Sequence, residues 1–191
     1  VMLTGEIYGS SSVEYALANS DLAAAQGELG DLTAAATNYK RAIYLIEEQE
    51  GIVSARLIQP LMGLANVQNA GGQWDQGLET YNRALRLNHV EYGLNNLGQM
   101  PIRDGITESY LGLGSIKDAN FQQELQLRIV RDEFSSDETK LAQASNKLAG
   151  WYQRSNQQEK EVLQLEATVR TIRAKIGSND PSQIPVLRDL A

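Results

Sequence analysis

The chain has 191 residues, enough for one large domain or a short repeat array, and 17 basic against 24 acidic residues leave a net charge of −7. That balance argues against a nucleic-acid or anionic-membrane surface, and no run approaches the ~20 apolar residues of a membrane-spanning helix. Cysteine is absent, which excludes a disulfide framework and a thiolate zinc site, and the opening VMLTGEIYGS has neither the basic region nor the apolar run of a secretion signal.

Taken in chain order, residues 1–8 read as the end of a helix, with Val1 and Leu3 in the apolar pattern later occupied by Ile43 and Leu45. Apolar spacing of helical period then predicts helices over 11–28 and 32–49, 53–70 and 74–90, 100–113 and 116–134, 138–154 and 158–176, and finally 182–191. The stretch EYGLNNLGQ over 91–99, with two glycines and two asparagines, reads as a loop before Pro101 at a helix start.

These elements repeat every 42 residues without a slipped register. The turn residue Gly30 recurs as Gly72 and Gly114, with Asn156 in the next place. Leu22-Ala23 recurs as Leu64-Ala65, Ile106-Thr107, Leu148-Ala149 and Leu190-Ala191. Further columns hold Leu32, Trp74 and Ile116; Ala35, Gly77 and Ala119; Tyr39 and Tyr81; Ala42 and Ala84; Leu45, Leu87 and Ile129. Small residues stand where two antiparallel helices must approach closely, and larger ones where successive helix pairs meet. A single hairpin of this kind cannot bury both faces, so it needs neighbours stacked on it. The turn positions suit a helix end in the left-handed conformation.

Leu64, Ala65, Gly72, Tyr81 and Ala84 stand at the spacing of the tetratricopeptide repeat (TPR), which the columns resemble over nearly the whole chain. The longer period resembles the kinesin-light-chain variety of that repeat. The resemblance implies an all-α, right-handed superhelical solenoid of antiparallel helix hairpins. It lays out as the end of a preceding repeat (1–8), repeats at 11–52, 53–94, 95–136 and 137–178, and the first helix of a truncated fifth at 179–191. On this layout the chain is a stretch of a longer array. The pattern weakens in the second helices of repeats three and four, where Gln123, Gln126, Glu161 and Thr168 replace the small or aromatic residues, leaving helix rotation there in question. More loosely, GLNNLGQMPIRDGITESYLGLG (93–114) is similar to repeat proteins of bacterial cell envelopes, which implies a periplasmic or other envelope location, a cytoplasmic one being the alternative.

Little in the sequence points to chemistry. The single histidine, His89, reads as a surface or capping residue at a helix end. GLG at 112–114 follows a helix rather than a strand and reads as a turn, not a phosphate loop. RDEFSSDETK (131–140) gathers carboxylates without the spacing or central glycine of a calcium loop and reads as a solvated linker. Trp74 falls in an apolar column and is expected in the core; Trp151 neighbours a core column, with its side left open. No metal site or cofactor is expected. The nearest catalytic pair is Asp104 with Glu108, one helical turn apart, a spacing most often of surface charges.

In such a stack the first helix of each hairpin lines the concave face. Taking the Leu22 column as core, the groove is expected to present Leu17, Ser20, Ala24 and Gly27; Gln59, Met62, Asn66 and Asn69; Asp104, Glu108 and Leu111; Gln143, Asn146, Gly150 and Gln153. Side-chain amides offer both donor and acceptor to the backbone of an extended peptide. Relatives that grip acidic C-terminal tails use Lys and Arg on this face. Here Ser20, Met62, Asp104 and Glu108 stand in those places, so a neutral-to-basic protein or peptide is the expected partner. The leading functional reading is a non-catalytic protein- or peptide-binding scaffold, with bacterial envelope assembly as its setting. The second is a regulatory receptor for a small signalling peptide, and a remote third is an enzyme using Asp104 and Glu108. Apolar residues at the two ends (Val1 to Leu3, and Leu190) predict weak head-to-tail self-association.

Overall fold

A computed structural model describes residues 1–176, the side chains of Glu138 and 171–176 excepted. The helix expected over 182–191 and the column members Leu190 and Ala191 lie outside the described residues. Among those described, secondary structure is helical throughout: α1 (Met2–Tyr8), α2 (Val13–Glu28), α3 (Leu32–Glu50), α4 (Ile58–Ala70), α5 (Trp74–Tyr92), α6 (Met100–Gly112), α7 (Ile116–Glu133), α8 (Glu138–Arg154) and α9 (Gln158–Ile176). Short 3-10 turns at Ala55–Leu57 and Leu97–Gln99 lead into α4 and α6.

The helix starts are written locally. Ser12 Oγ accepts the Tyr15 amide at 3.1 Å, and Asp31 Oδ1 accepts that of Ala34 at 3.0 Å, each satisfying a donor that the first turn leaves free. Asp137 does the same for Lys140 at the start of α8, so the carboxylate-rich linker contributes a helix cap. Pro101 sits in the first turn of α6, where no amide donor is needed.

The chain forms two compact units, Val1–Gln122 and Gln123–Ala191, the boundary falling within α7. In the first unit α2 pairs with α3 and α4 with α5, while α4 also packs on α3 and α6 on α5. Ala16, Ala23, Ala35, Ala42, Ala65 and Ala84 are fully enclosed between paired helices, and Ile46, Leu57, Leu61, Ile102 and Ile106 fill the space between pairs. In the second unit α8 pairs with α9 around Ala149, Leu165 and Val169. There Gln123, Gln126 and Thr168 stay buried although polar, in keeping with their columns, while Glu161 is half-buried where Ala35 and Ala119 are fully enclosed. Trp151, whose side the sequence leaves open, is buried.

One column behaves differently from expectation. Leu64, Ile106 and Leu148 are buried, but Leu22 is 39% exposed. Leu64 belongs to one core cluster with Ile43 of the preceding second helix, α3, which packs on α4. In the place of such a helix before α2 stands α1, which spans seven residues and buries none of them.

The backbone carries a half-period that the expected columns omit. Residues of positive φ stand at Gly9, Gly30, Gly51, Gly72, Gly93 and Gly114, 21 residues apart, one after every helix of the first unit. The linkers between hairpins are the more demanding sites: Gly51 has φ 88° and ψ 169°, a region open in practice only to glycine. The turns within hairpins are less so, since Asn156 takes the equivalent place with φ 58°.

Candidate functional site: the first-helix face of the N-terminal unit

In the first unit α2, α4 and α6 are successive neighbours, backed by α3 and α5. Two tyrosines hold this row together in the same way. The Tyr39 ring of α3 lies against Gly63 of α4, and the Tyr81 ring of α5 lies against Gly105 of α6, in both cases filling the space a side chain on the glycine would need. Both tyrosines are buried, and both are displaced by 24 residues from the glycine they cover. Tyr81 Oη donates to Asn66 Oδ1, so the phenol orients an amide on the outer face of α4.

Charge is distributed unevenly over this row. Glu14, Asp21 and Glu28 lie on α2, Asp104 and Glu108 on α6, and α4 has no charged residue. The three helices contain one cation, Arg103, and it is buried. Its guanidinium donates to Gln99 Oε1 at 2.7 Å and to Gln122 Oε1 at 2.6 Å, and burial lowers its pKa below the usual arginine range. His89 Nε2 meets the same Gln99 oxygen at 3.1 Å, so the histidine, half-buried in the last turn of α5, also joins this polar cluster. Burial, with Asp21 and then Glu28 adding to it, raises the Tyr39 pKa. Burial with Glu108 pushes Tyr81 up to about 12. The carboxylates are therefore close enough to the phenols to oppose their ionisation.

Between α2 and α4 the face opens into a cleft of about 330 Å³, lined by Ala24, Gly27, Glu28, Tyr39, Gly63 and Asn66 among others. Its walls are mostly apolar, with the Glu28 carboxylate, the Tyr39 phenol and the Asn66 amide as its polar groups. It lies beside the C-terminal turn of α2, the negative end of that helix's dipole.

The expected groove residues fall in three positions. Leu17, Ala24, Gln59, Asn66, Glu108 and Leu111 are exposed, and Ser20, Gly27, Met62 and Asp104 are half-buried. Asn69, expected in the groove, does not reach the surface. It is 8% exposed, and its Nδ2 donates to Ser109 Oγ at 2.9 Å and to Gly105 O at 3.3 Å, joining α4 to α6. Its side chain fits because residue 77 is a glycine; a side chain there would collide with the Asn69 amide. In the second unit Gln143 and Gln153 are exposed on α8, while Asn146 and Gly150 are half-buried. Unlike the first helices of the N-terminal unit, α8 carries Lys140, Lys147 and Arg154. Sequence reasoning did not single out Tyr39, Gly63 and Gly105 for this face, although the recurring 24-residue offset from Tyr to Gly was present to be read.

Asp104 and Glu108 both belong to α6, and Trp74 is half-buried with its ring against Gly112. Among the described residues no group of His, Cys, Asp and Glu is gathered as a metal would require, and no helix is long and apolar enough to cross a membrane.

No protein-family model matches the sequence, and no curated protein matches it. Solved structures do match in fold. A kinesin light chain with nearly identical TPR-like repeats from Podosopora anserina superposes with a TM-score of 0.69 at 16% identity, over 94% of this chain and 85% of that one. A single-substitution variant of that protein gives 0.66 at 16% identity, over 91% and 82%. BtubC (BKLC) from P. vanneervenii gives 0.67 at 18% identity, over 87% of this chain and 66% of that one. Helix hairpins of a fixed long period, paired through alanines and closed by glycine turns, are common to the sequence pattern and the structure, and the fold of the chain is a TPR-like helical repeat.

Proposed function

We propose that this chain is a non-catalytic scaffold that docks a neutral-to-basic segment of a partner protein along the first helices of its N-terminal unit. The observation that carries this reading is the charge of these helices: α2 and α6 carry five carboxylates, Glu28 and Glu108 among the exposed ones, while the single cation of α2, α4 and α6, Arg103, is buried. An acidic segment would meet like charge in a partly desolvated cleft, which can cost several kcal/mol. A basic segment meets Glu28, Asp104 and Glu108, while Gln59 and Asn66 offer donors and acceptors to its backbone. Asp104 and Glu108 serve here as charge on a docking surface rather than as a catalytic pair. The likeness of 93–114 to envelope repeat proteins is the ground for placing such a scaffold in bacterial envelope assembly.

The test is a peptide array or pull-down comparing basic, neutral and acidic segments on the wild type and on Asp104→Lys with Glu108→Lys. Basic segments should bind best, lose affinity with added salt, and lose it in the double variant. Tighter binding of acidic segments by the wild type would refute the reading.

A further inference from the structure

Tyr39 and Tyr81 stand one repeat apart and take the same pose, each with its ring and hydroxyl over a glycine of the next first helix. Their hydroxyls differ in what they meet. Tyr81 donates to Asn66, 15 residues earlier in the same hairpin. The residue in that place before Tyr39 is Ala24, which has no acceptor to offer. Among the described residues the Tyr39 hydroxyl has no hydrogen-bond partner, although the side chain is buried. Ala24 and Tyr39 both line the cleft between α2 and α4, so the amide that meets the phenol in the second hairpin is missing from the first and the space is open. A buried hydroxyl left unmet is costly, and an occupant that takes its proton gains accordingly.

The groups at the cleft select that occupant. The Tyr39 hydroxyl donates, and Asn66, its Oδ1 engaged by Tyr81, keeps its Nδ2 as a second donor. Glu28, one helical turn after Ala24 on the same side of α2, accepts. A lysine or arginine head has only donors and leaves the phenol proton unmet. A carboxylate would meet Glu28 and the negative end of α2. A primary carboxamide answers both, its oxygen accepting from Tyr39 and Asn66 and its nitrogen donating to Glu28. The walls formed by Ala24, Gly27, Val67 and Ala70 suit a methylene stem behind it. Resting on the function proposed above, we infer that this cleft reads a glutamine side chain of the docked segment, which gives Tyr39 the amide that Asn66 gives Tyr81.

The experiment uses the full chain and three labelled peptides of the form Lys-Ala-X-Ala-Lys, with glutamine, leucine or glutamate at X. Affinities are read by fluorescence anisotropy on the wild type, Ala24→Asn and Tyr39→Phe, with circular dichroism to confirm that the variants are folded. On the wild type the glutamine peptide should bind about tenfold more tightly than the leucine peptide, roughly the effect of one or two neutral hydrogen bonds. Ala24→Asn gives the phenol an acceptor of its own, and Tyr39→Phe removes the donor. Each should bring the glutamine peptide down to the level of the leucine peptide. Equal affinities of these two peptides on the wild type, or an undiminished glutamine advantage in either variant, would overturn the glutamine subsite while leaving the charge preference of the face intact. Tightest binding of the glutamate peptide, or no binding of any of the three, would overturn both.

Discussion

The Tyr81 ring occupies the space above Gly105 that a side chain would fill, and its hydroxyl donates to Asn66. One contact thus joins α5 to α6 and sets an amide on the outer face of α4. Alanine is the better helix former by about 1 kcal/mol, so Gly105→Ala would stabilise an isolated helix. Here the added methyl meets a buried ring, and overpacking of this kind costs about 1–3 kcal/mol. Gly105→Ala should lower stability in urea unfolding, whereas Tyr81→Phe should cost only about 1 kcal/mol through its lost hydrogen bond.

The inter-hairpin glycines should be less replaceable than the turn glycines. Gly51→Ala puts a β-carbon into a backbone region at φ 88° and ψ 169°, with an expected loss of about 1–3 kcal/mol. Gly72→Asn should cost less, since Asn156 already occupies the equivalent turn at φ 58°. Paired thermal melts of the two variants decide the order.

Equivalent leucines should differ in worth. Leu64 is buried against α3 and Leu22 is 39% exposed, so Leu64→Ala should cost about 2–4 kcal/mol and Leu22→Ala under about 1 kcal/mol. Equal losses in chemical denaturation would contradict the account of α1 as a short cover.

Asn69 and Asn66 should separate structure from recognition. Asn69→Ala removes the hydrogen bonds that join α4 to Ser109 and Gly105 of α6, leaving Ser109 Oγ its bond to Gly105 O, and should cost about 1–3 kcal/mol, with basic-peptide affinity unchanged in the protein that remains folded. Asn66→Ala should weaken peptide binding and also lower stability, since it removes the acceptor of the buried Tyr81 hydroxyl.

Alkaline stability should follow the buried phenols. Tyr39, Tyr81 and Tyr152 all have pKa values raised in the fold, chiefly by burial. The unfolded chain ionises near pH 10 while Tyr81 holds its proton to about 12, so the stability it contributes is complete below pH 10 and is lost as pH rises toward 12. Unfolding free energy measured across that window should fall, and Tyr81→Phe should flatten the fall.

The sequence by itself determined the helices, their pairing and their period. Small residues at Ala23, Ala35 and Ala42, caps at Ser12 and Asp31, and glycine turns act within a few residues, so their spacing is legible without coordinates. Even where the residue types lapse, at Gln123, Gln126 and Thr168, the period still marks buried positions. The outward face was a different matter. Asn66 and Asn69 are three residues apart and so about 60° apart around α4, and the pattern assigned both to the groove. The tertiary structure separated them: Asn69 lies in the seam with α6, where Gly77 leaves room and Ser109 offers a partner, and Asn66 stays outside under the Tyr81 hydroxyl. It likewise exposed Leu22, because burial depends on which helix stands opposite and not on the column a residue occupies. Periodicity fixes a helix's inward side to within a turn; which residues at its edge meet water is decided by the size and reach of side chains on neighbouring helices.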